Sequence, residues 1–286
     1  MNMRHVRIAL LIFFCVVAVV YAFFRIREHI NADNVPPVIR AESDTLEVSV
    51  SATDEDLLSG MTARDNLDGD VTDTLVVVSR GKFISKGTLR VSYAAFDKNR
   101  NVGTYSREVT YTDYVSPRFQ MDAPLRYAEG GSVPDYLQHI TAQDCLDGNI
   151  TQQVKVTLGG KIVVSDSVTR QKMNVQVTNS CGDSAVLELT VSMEDYSTLN
   201  RPAPALKDYI LYTKVGSGLD LRSNITGVWA GGTVKSFAEA GLDPFDVSIS
   251  DGGLNYRVPG VYTVTYRLSR DGVPMGTAEL IVVVEE

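Results

Sequence analysis

Cysteine is nearly absent: the chain of 286 residues holds three, Cys15, Cys145 and Cys181. None forms a C-x-x-C pair, which excludes zinc-ribbon and thioredoxin-type chemistry. Histidine is as rare, and beyond the amino-terminal segment only His139 remains. A zinc-protease helix or a Ser–His couple therefore has nothing to build on. No G-x-S-x-G elbow and no phosphate-cradling glycine loop occurs. The single tryptophan, Trp229, reads as a core or loop anchor and not as a stacking platform for a sugar. Positive charge is also short, with 27 Lys and Arg against 35 Asp and Glu and a formal net charge of −8. That balance argues against a nucleic-acid partner and against adhesion to an anionic membrane surface. Long helical periodicity is missing after the first few turns of chain, so an α-helical fold is excluded.

What the sequence does have begins at the amino terminus. Ile8 to Phe24 is an unbroken apolar run, with Arg4 and Arg7 before it and Arg25 and Arg27 after it. As a helix it would span roughly 26 Å, and arginines snorkelling at both ends could stretch the fit to a bilayer. The run reads as a transmembrane signal-anchor at residues 8–24, with a short cytoplasmic tail at 1–7 and a polar connector at 25–35. A cleaved signal peptide, with Val20-Tyr21-Ala22 as its site, stays open as the alternative. The tail is too short to hold a domain, so the bulk of the chain is expected outside the cytoplasm, at the cell surface.

One phrase is written twice. Residues 63–72 read A-R-D-N-L-D-G-D-V-T and residues 142–151 read A-Q-D-C-L-D-G-N-I-T. Asp65 matches Asp144, Asp68 matches Asp147, Gly69 matches Gly148 and Thr72 matches Thr151 in a single register. A match held in phase at roughly the length of a small domain indicates a tandem array. Each copy leads into alternating apolar and polar residues, the pattern of half-buried strands. Such strands are legible at 45–51, 74–79, 88–96 and 105–111, then at 153–158, 161–165, 173–178 and 186–192. A proline-led start at Pro36-Pro37 and another at Ser116-Pro117 open the first and second units. The expected domains are 36–113 and 114–195, a stiff extended linker at 196–204, and a third, divergent domain at 205–286. The last has alternation at 245–250 and 278–284 and a possible helical turn at 235–241. Short strands with regular turns point to an all-β fold of tandem immunoglobulin-like antiparallel β-sandwiches.

The first two units resemble the bacterial immunoglobulin-like domains found in tandem on cell-surface and secreted proteins, a family also named after a pesticidal crystal toxin. The resemblance rests on a D-N-x-D-G-D-[VI]-T turn and a G-x-Y-x-V-x-Y-x-A-x-D-x-x-G-N strand and corner. Residues 65–72 match the turn in full. Residues 87–101 match the strand and corner except at Leu89, where tyrosine is usual, and Arg100, where glycine is usual. The second unit departs from the turn at Cys145 and Asn149, and its corner runs from Asn179 to Asp183. The third unit shares only the Pro259–Tyr266 strand pattern. The resemblance implies a bacterial source and a binding role in place of catalysis.

Two constellations stand out. Hard cations such as Ca²⁺ take several carboxylate and carbonyl oxygens. Asp65, Asp68 and Asp70, with Asp97 and Asn101 arriving from the corner, could supply them. The alternative is a purely structural turn, in which Gly69 and Gly148 take positive φ while the aspartates, Asp144 and Asp147 included, bond their own backbone. The second constellation is the cysteines. Cys145 stands at the place of Asn66 and Cys181 near that of Asn99, so a disulfide is expected if turn and corner lie side by side; two separate buried thiols are the alternative. The expected function is a non-catalytic, membrane-anchored adhesion, interaction or stalk protein with a protein or surface-polymer partner and no cofactor beyond that Ca²⁺. Open alternatives are a ligand- or carbohydrate-binding ectodomain that works with a membrane partner, and an accessory subunit of an envelope complex.

Overall fold

Alternation becomes strands throughout the computed structural model, which describes residues 3–30, 33–131, 135–165 and 168–286. Positions 1–2 of the expected tail and 31–32 of the expected connector lie outside the described residues. The chain divides into two compact units, Met1–Asp113 and Tyr114–Glu286.

The first unit opens with a helix, α1 (Met3–Ile30), which runs through most of the segment expected to be connector. Among the described residues no helix is long and apolar enough to cross a membrane. This corrects the expected single-pass anchor and, with it, the cell-membrane localisation. The physical reason lies in the length of the apolar run: bounded by Arg7 and Arg25, it reaches roughly 26 Å where a hydrocarbon core is about 30 Å thick.

The strands of the first unit are β1 (Val38–Ala41), β2 (Thr45–Val48), β3 (Met61–Asp65), β4 (Gly69–Asp70), β5 (Val76–Ser85), β6 (Thr88–Phe96) and β7 (Val102–Tyr111). They form one sheet in the order β1-β3-β4 and another in the order β2-β7-β6-β5. Period-two patterning decides which sides meet: Leu89, Val91, Tyr93 and Ala95 of β6 are all fully buried, and Met61 and Ala63 of β3 are buried. The core also holds a charge. Arg107 on β7 is 3% exposed, with its guanidinium 5.5 Å from the centre of the Tyr93 ring. It donates to the carbonyls of Leu57 and Ser59 and to the Tyr93 hydroxyl. These acceptors, with the ring face, compensate a cation that would otherwise be costly to bury.

The second unit contains the same arrangement twice. Its strands are β8 (Arg118–Met121), β9 (Arg126–Ala128), β10 (Ile140–Asp144), β11 (Gly148–Asn149), β12 (Lys155–Ser165), β13 (Val168–Thr178) and β14 (Ser184–Glu194), followed by a second set. That set is β15 (Ala203–Leu206), β16 (Ile210–Lys214), β17 (Ile225–Ala230), β18 (Thr233–Lys235), β19 (Val247–Ser250), β20 (Gly260–Arg270) and β21 (Val273–Glu285). The sheets run β11-β10-β8 and β12-β13-β14-β9, then β15-β17-β18 and β16-β21-β20-β19. Three sheet pairs in series make an all-β, immunoglobulin-like sandwich array. The expectation of wholly antiparallel sheets needs correction, because β2 pairs in parallel with β7, β9 with β14 and β16 with β21. In each sandwich the early strand leaves the small sheet and docks on the free edge of the last long strand, covering a row of backbone groups that would otherwise stay open.

Residues 196–204 are not the extended spacer that their prolines suggest. Asp195 caps a single helical turn, Tyr196–Leu199, by accepting from Thr198 N at 2.7 Å. The two sandwiches of this unit share one continuous core, which includes Phe119, Ile140 and Leu189 from one and Tyr209, Tyr266 and Leu280 from the other. Two tyrosines seal the joint. Tyr209, fully buried, donates its backbone N–H to Met121 O at 3.0 Å, while its hydroxyl accepts from Trp229 Nε1 at 2.9 Å. The Tyr212 hydroxyl accepts from Phe119 N at 2.9 Å, and the Arg118 guanidinium lies 5.0 Å above the Tyr212 ring while pairing with Glu285. Desolvation pushes the Tyr212 phenol up to about 12, so it stays a neutral hydroxyl across the working range. Tyr212→Phe leaves the buried Phe119 amide with no acceptor, so the second unit should lose about 1–3 kcal/mol; a lowered midpoint in urea unfolding, with unchanged slope, is the expected reading.

Candidate functional site

The repeated phrase folds into the same object in both copies. At the end of β3, Asp65 turns its Oδ2 back to accept from Leu67 N at 2.7 Å and Asp68 N at 2.9 Å. At the end of β10, Asp144 Oδ1 accepts from Leu146 N and Asp147 N, both at 2.9 Å. Asp70 and Asn149 each accept from the threonine N–H two residues on, at 3.0 Å, which explains why an amide can replace the acid there. Thr72 and Thr151 then reach back, their Oγ1 accepting at 3.0 Å from Ala63 N and Ala142 N. Gly69 (φ 77°) and Gly148 (φ 69°) occupy the left-handed region that closes each bend.

A second aspartate ties each turn to the neighbouring corner between long strands. Asp68 accepts from Lys98 N at 2.8 Å and from Lys98 Nζ at 3.1 Å. Asp147 accepts from Ser180 N at 2.6 Å and from Ser180 Oγ at 2.7 Å. Turn and corner thus lie side by side, as the disulfide expectation requires. The bridge itself is not there: no disulfide joins Cys145 and Cys181. Cys145 Sγ instead meets the backbone of Val115, 3.4 Å from its N and 3.1 Å from its O. The expected disulfide is corrected accordingly.

The expected cation ligands separate into two sets. Asp68 and Asp70 are spent on the corner and on the turn. Asp65 and Asp97 come together, and they are joined by Asp33, which precedes β1. The ligating oxygens of Asp33, Asp65 and Asp97 all lie within 4.8 Å of one another. The three residues are 9%, 5% and 7% exposed. Asn101 holds the group together by donating its N–H to Asp97 Oδ1 at 2.7 Å and its side-chain amide to Asp97 Oδ2 at 2.6 Å and Asp33 O at 2.9 Å. Sequence reasoning missed Asp33 because it lies outside the repeated phrase. A signal existed: Asp33 and Asp113 precede the two proline-led starts at matching places.

The second sandwich closes the matching position with hydrogen bonds alone. Asn179 replaces Asp97, and its amide donates to Asp144 Oδ2 at 3.1 Å and to the Tyr114 hydroxyl at 2.9 Å. Tyr114 donates in turn to Asp183 Oδ2 at 2.8 Å, and Asp183 N donates to Asn179 Oδ1 at 2.9 Å. The corner differs too. Gly182 sits at φ 92° without cost, whereas Arg100 holds φ 70°, a conformation that costs an L-residue about 1–2 kcal/mol.

Backbone hydrogen bonding holds Asp65 below the usual carboxylate range, and bonds from Lys98 and Thr72 do the same for Asp68 and Asp70. A carboxyl whose folded pKa is depressed contributes stability that is complete above its unfolded value, near 4, and lost as the pH falls through the folded value. The first unit should therefore weaken as the pH drops below about 4. Asp68→Asn should flatten that loss while lowering stability at neutral pH, as read from thermal melting between neutral and acid buffers.

No family model matches the chain. An uncharacterised 81.3 kDa protein of Acholeplasma phage L2 is 24% identical over 169 residues, covering 56% of this chain and 22% of that protein. The chain thus spans about a fifth of the length of the curated relative it matches. Among solved structures, three extracellular domains of Drosophila N-cadherin align at 11% identity over 86% of this chain and 98% of theirs, with a TM-score of 0.32. The M60 catalytic domain of Clostridium perfringens with its CBM51-1 and CBM51-2 domains aligns at 11% identity over 88% of this chain and 31% of that one, with a TM-score of 0.23. Scores this low carry no weight for function or partners.

Proposed function

We propose that the protein is a non-catalytic interaction module, which presents loops and strand edges of serial β-sandwiches to a protein or surface-polymer partner. The observation that supports this reading is the continuous core through the two sandwiches of the second unit. Two modules fused through buried tyrosines keep a fixed mutual orientation, which suits a surface that must be displayed and does not suit a cleft that must open and close. The chemistry-bearing side chains point the same way. Asp65 and Asp144 each give one carboxylate oxygen to backbone amides of their own turn, and His139 is paired with Asp122 at 2.9 Å. Membership in the bacterial immunoglobulin-like family, implied by the turn and corner motifs, belongs to the same proposal.

A second reading, ligand or carbohydrate binding, draws on one feature. A cleft of about 230 Å³ opens beside the joint, with Arg126, Arg170, Thr190, Ser192, Glu194 and Glu279 among its lining. It is smaller than the roughly 300–1,000 Å³ usual for drug-sized ligands, so a small polar ligand is the class it would take. Crosslinking the full chain in its native setting, followed by identification of captured proteins, tests the leading reading; a glycan array with the same chain tests the second. Reproducible capture of one partner, lost on competition with the purified chain, is the expected result. Saturable binding to one glycan with no protein captured would replace the leading reading by the second.

A further inference from the structure

We infer that Asp33, Asp65 and Asp97 form a binding site for a single hard divalent cation, Ca²⁺, in the first unit. The inference is independent of the proposed interaction role.

Acid clusters are common, and most are solvated. This one differs in two respects. All three residues are more than nine-tenths buried. And two of them present an oxygen that nothing satisfies: Asp33 Oδ2 and Asp65 Oδ1 are buried without a hydrogen-bond partner. Each residue commits its other oxygen to its own backbone, Asp33 Oδ1 to Val35 N at 3.0 Å and Asp65 Oδ2 to the turn amides. That commitment fixes the orientation and leaves the remaining oxygen aimed into the cluster. Asp97 is held by Asn101, which donates to both its oxygens, and each oxygen retains further capacity to accept. Among the described residues none of the three makes an ion pair with a lysine, arginine or histidine. A buried carboxylate group with orphaned oxygens and no basic partner has a large unmet demand for positive charge.

A cation meets that demand. Two oxygens each about 2.4 Å from a central Ca²⁺ can be no more than about 4.8 Å apart, a limit that one oxygen from each of the three carboxylates respects. The donor set is oxygen only, which disfavours zinc and copper, and its concentration of protein carboxylates suits Ca²⁺ better than Mg²⁺, which prefers to keep its waters. Asn101 would act as a positioning residue, since its amide donates to the group.

The second sandwich is the internal control. There the asparagine amide of Asn179 sits between Asp144 and the Tyr114 hydroxyl, and the network is closed without a metal. Asp97 is the decisive difference: an acceptor stands in the first sandwich where a donor stands in the second. A bound ion would join the segment before β1, the turn after β3 and the corner after β6 at one point.

The test is calorimetric titration of the chelator-stripped full chain with CaCl₂, paired with thermal melting. One saturable equivalent of Ca²⁺ and a raised Tm are expected, with Mg²⁺ weaker at equal concentration. Asp33→Asn keeps an acceptor for Val35 N while removing charge, so it should fold and weaken binding at least about tenfold. Asp97→Asn, which imitates the second sandwich, should do the same, whereas Asp144→Asn should leave binding unchanged. Absence of both heat and thermal shift in the unaltered chain would overturn the site. So would binding that survives Asp33→Asn and Asp97→Asn, or that is lost equally in Asp144→Asn; tighter binding of Mg²⁺ would overturn the assignment to Ca²⁺.

Discussion

Each acidic bend depends on a carboxylate folded back onto two amides of its own loop. Asp65 and Asp144 sit at the last position of a buried strand, where the chain must reverse and its N–H groups lose their ladder partners. A side-chain oxygen supplies the missing acceptor at the moment of reversal. With the bend fixed, the glycine at positive φ, the returning threonine hydroxyl and the aspartate that reaches the corner all fall into place. The same constraint that shapes the turn leaves one oxygen of Asp65 over. Structure and candidate chemistry therefore have a common origin.

The two copies solve the problem of that leftover charge differently. In the second sandwich a tyrosine hydroxyl and an asparagine amide interpose donors between carboxylates. In the first, three acids converge, and the Asn101 amide and N–H donate to Asp97 and to the Asp33 carbonyl. Divergence between repeats has here changed the electrical character of a junction while the bonds of the turn itself are kept. The third sandwich dispenses with the acidic phrase and shares one core with the second.

Strand identity was legible wherever one face is buried, because alternation reports burial directly. The reading of 88–96 coincides with β6, whose inward residues are fully buried. Gly159 and Gly160 divided 153–165 into two strands on paper, whereas β12 runs through them as a bulge, with a register shift between Leu158 and Lys161. Alternation carries no direction, so the parallel pairing of β2, β9 and β16 could not be read. Apolarity was legible in α1, but its length relative to a bilayer was overvalued. At the site, the turn aspartates were visible as a motif, while Asp33 depends on a fold that returns the segment before the first strand to the end of the third. Matching Cys145 to Cys181 by alignment placed them in adjacent loops but said nothing of which way each side chain turns.

Amide hydrogen exchange read residue by residue at neutral pH tests the central claim most directly. If the carboxylates of Asp65 and Asp144 hold the bends, the amides of Leu67, Asp68, Leu146 and Asp147 exchange as slowly as those of the adjoining strands, although they lie in loops. Exchange of these four at the rate of an unstructured peptide, with the strands still protected, would contradict it.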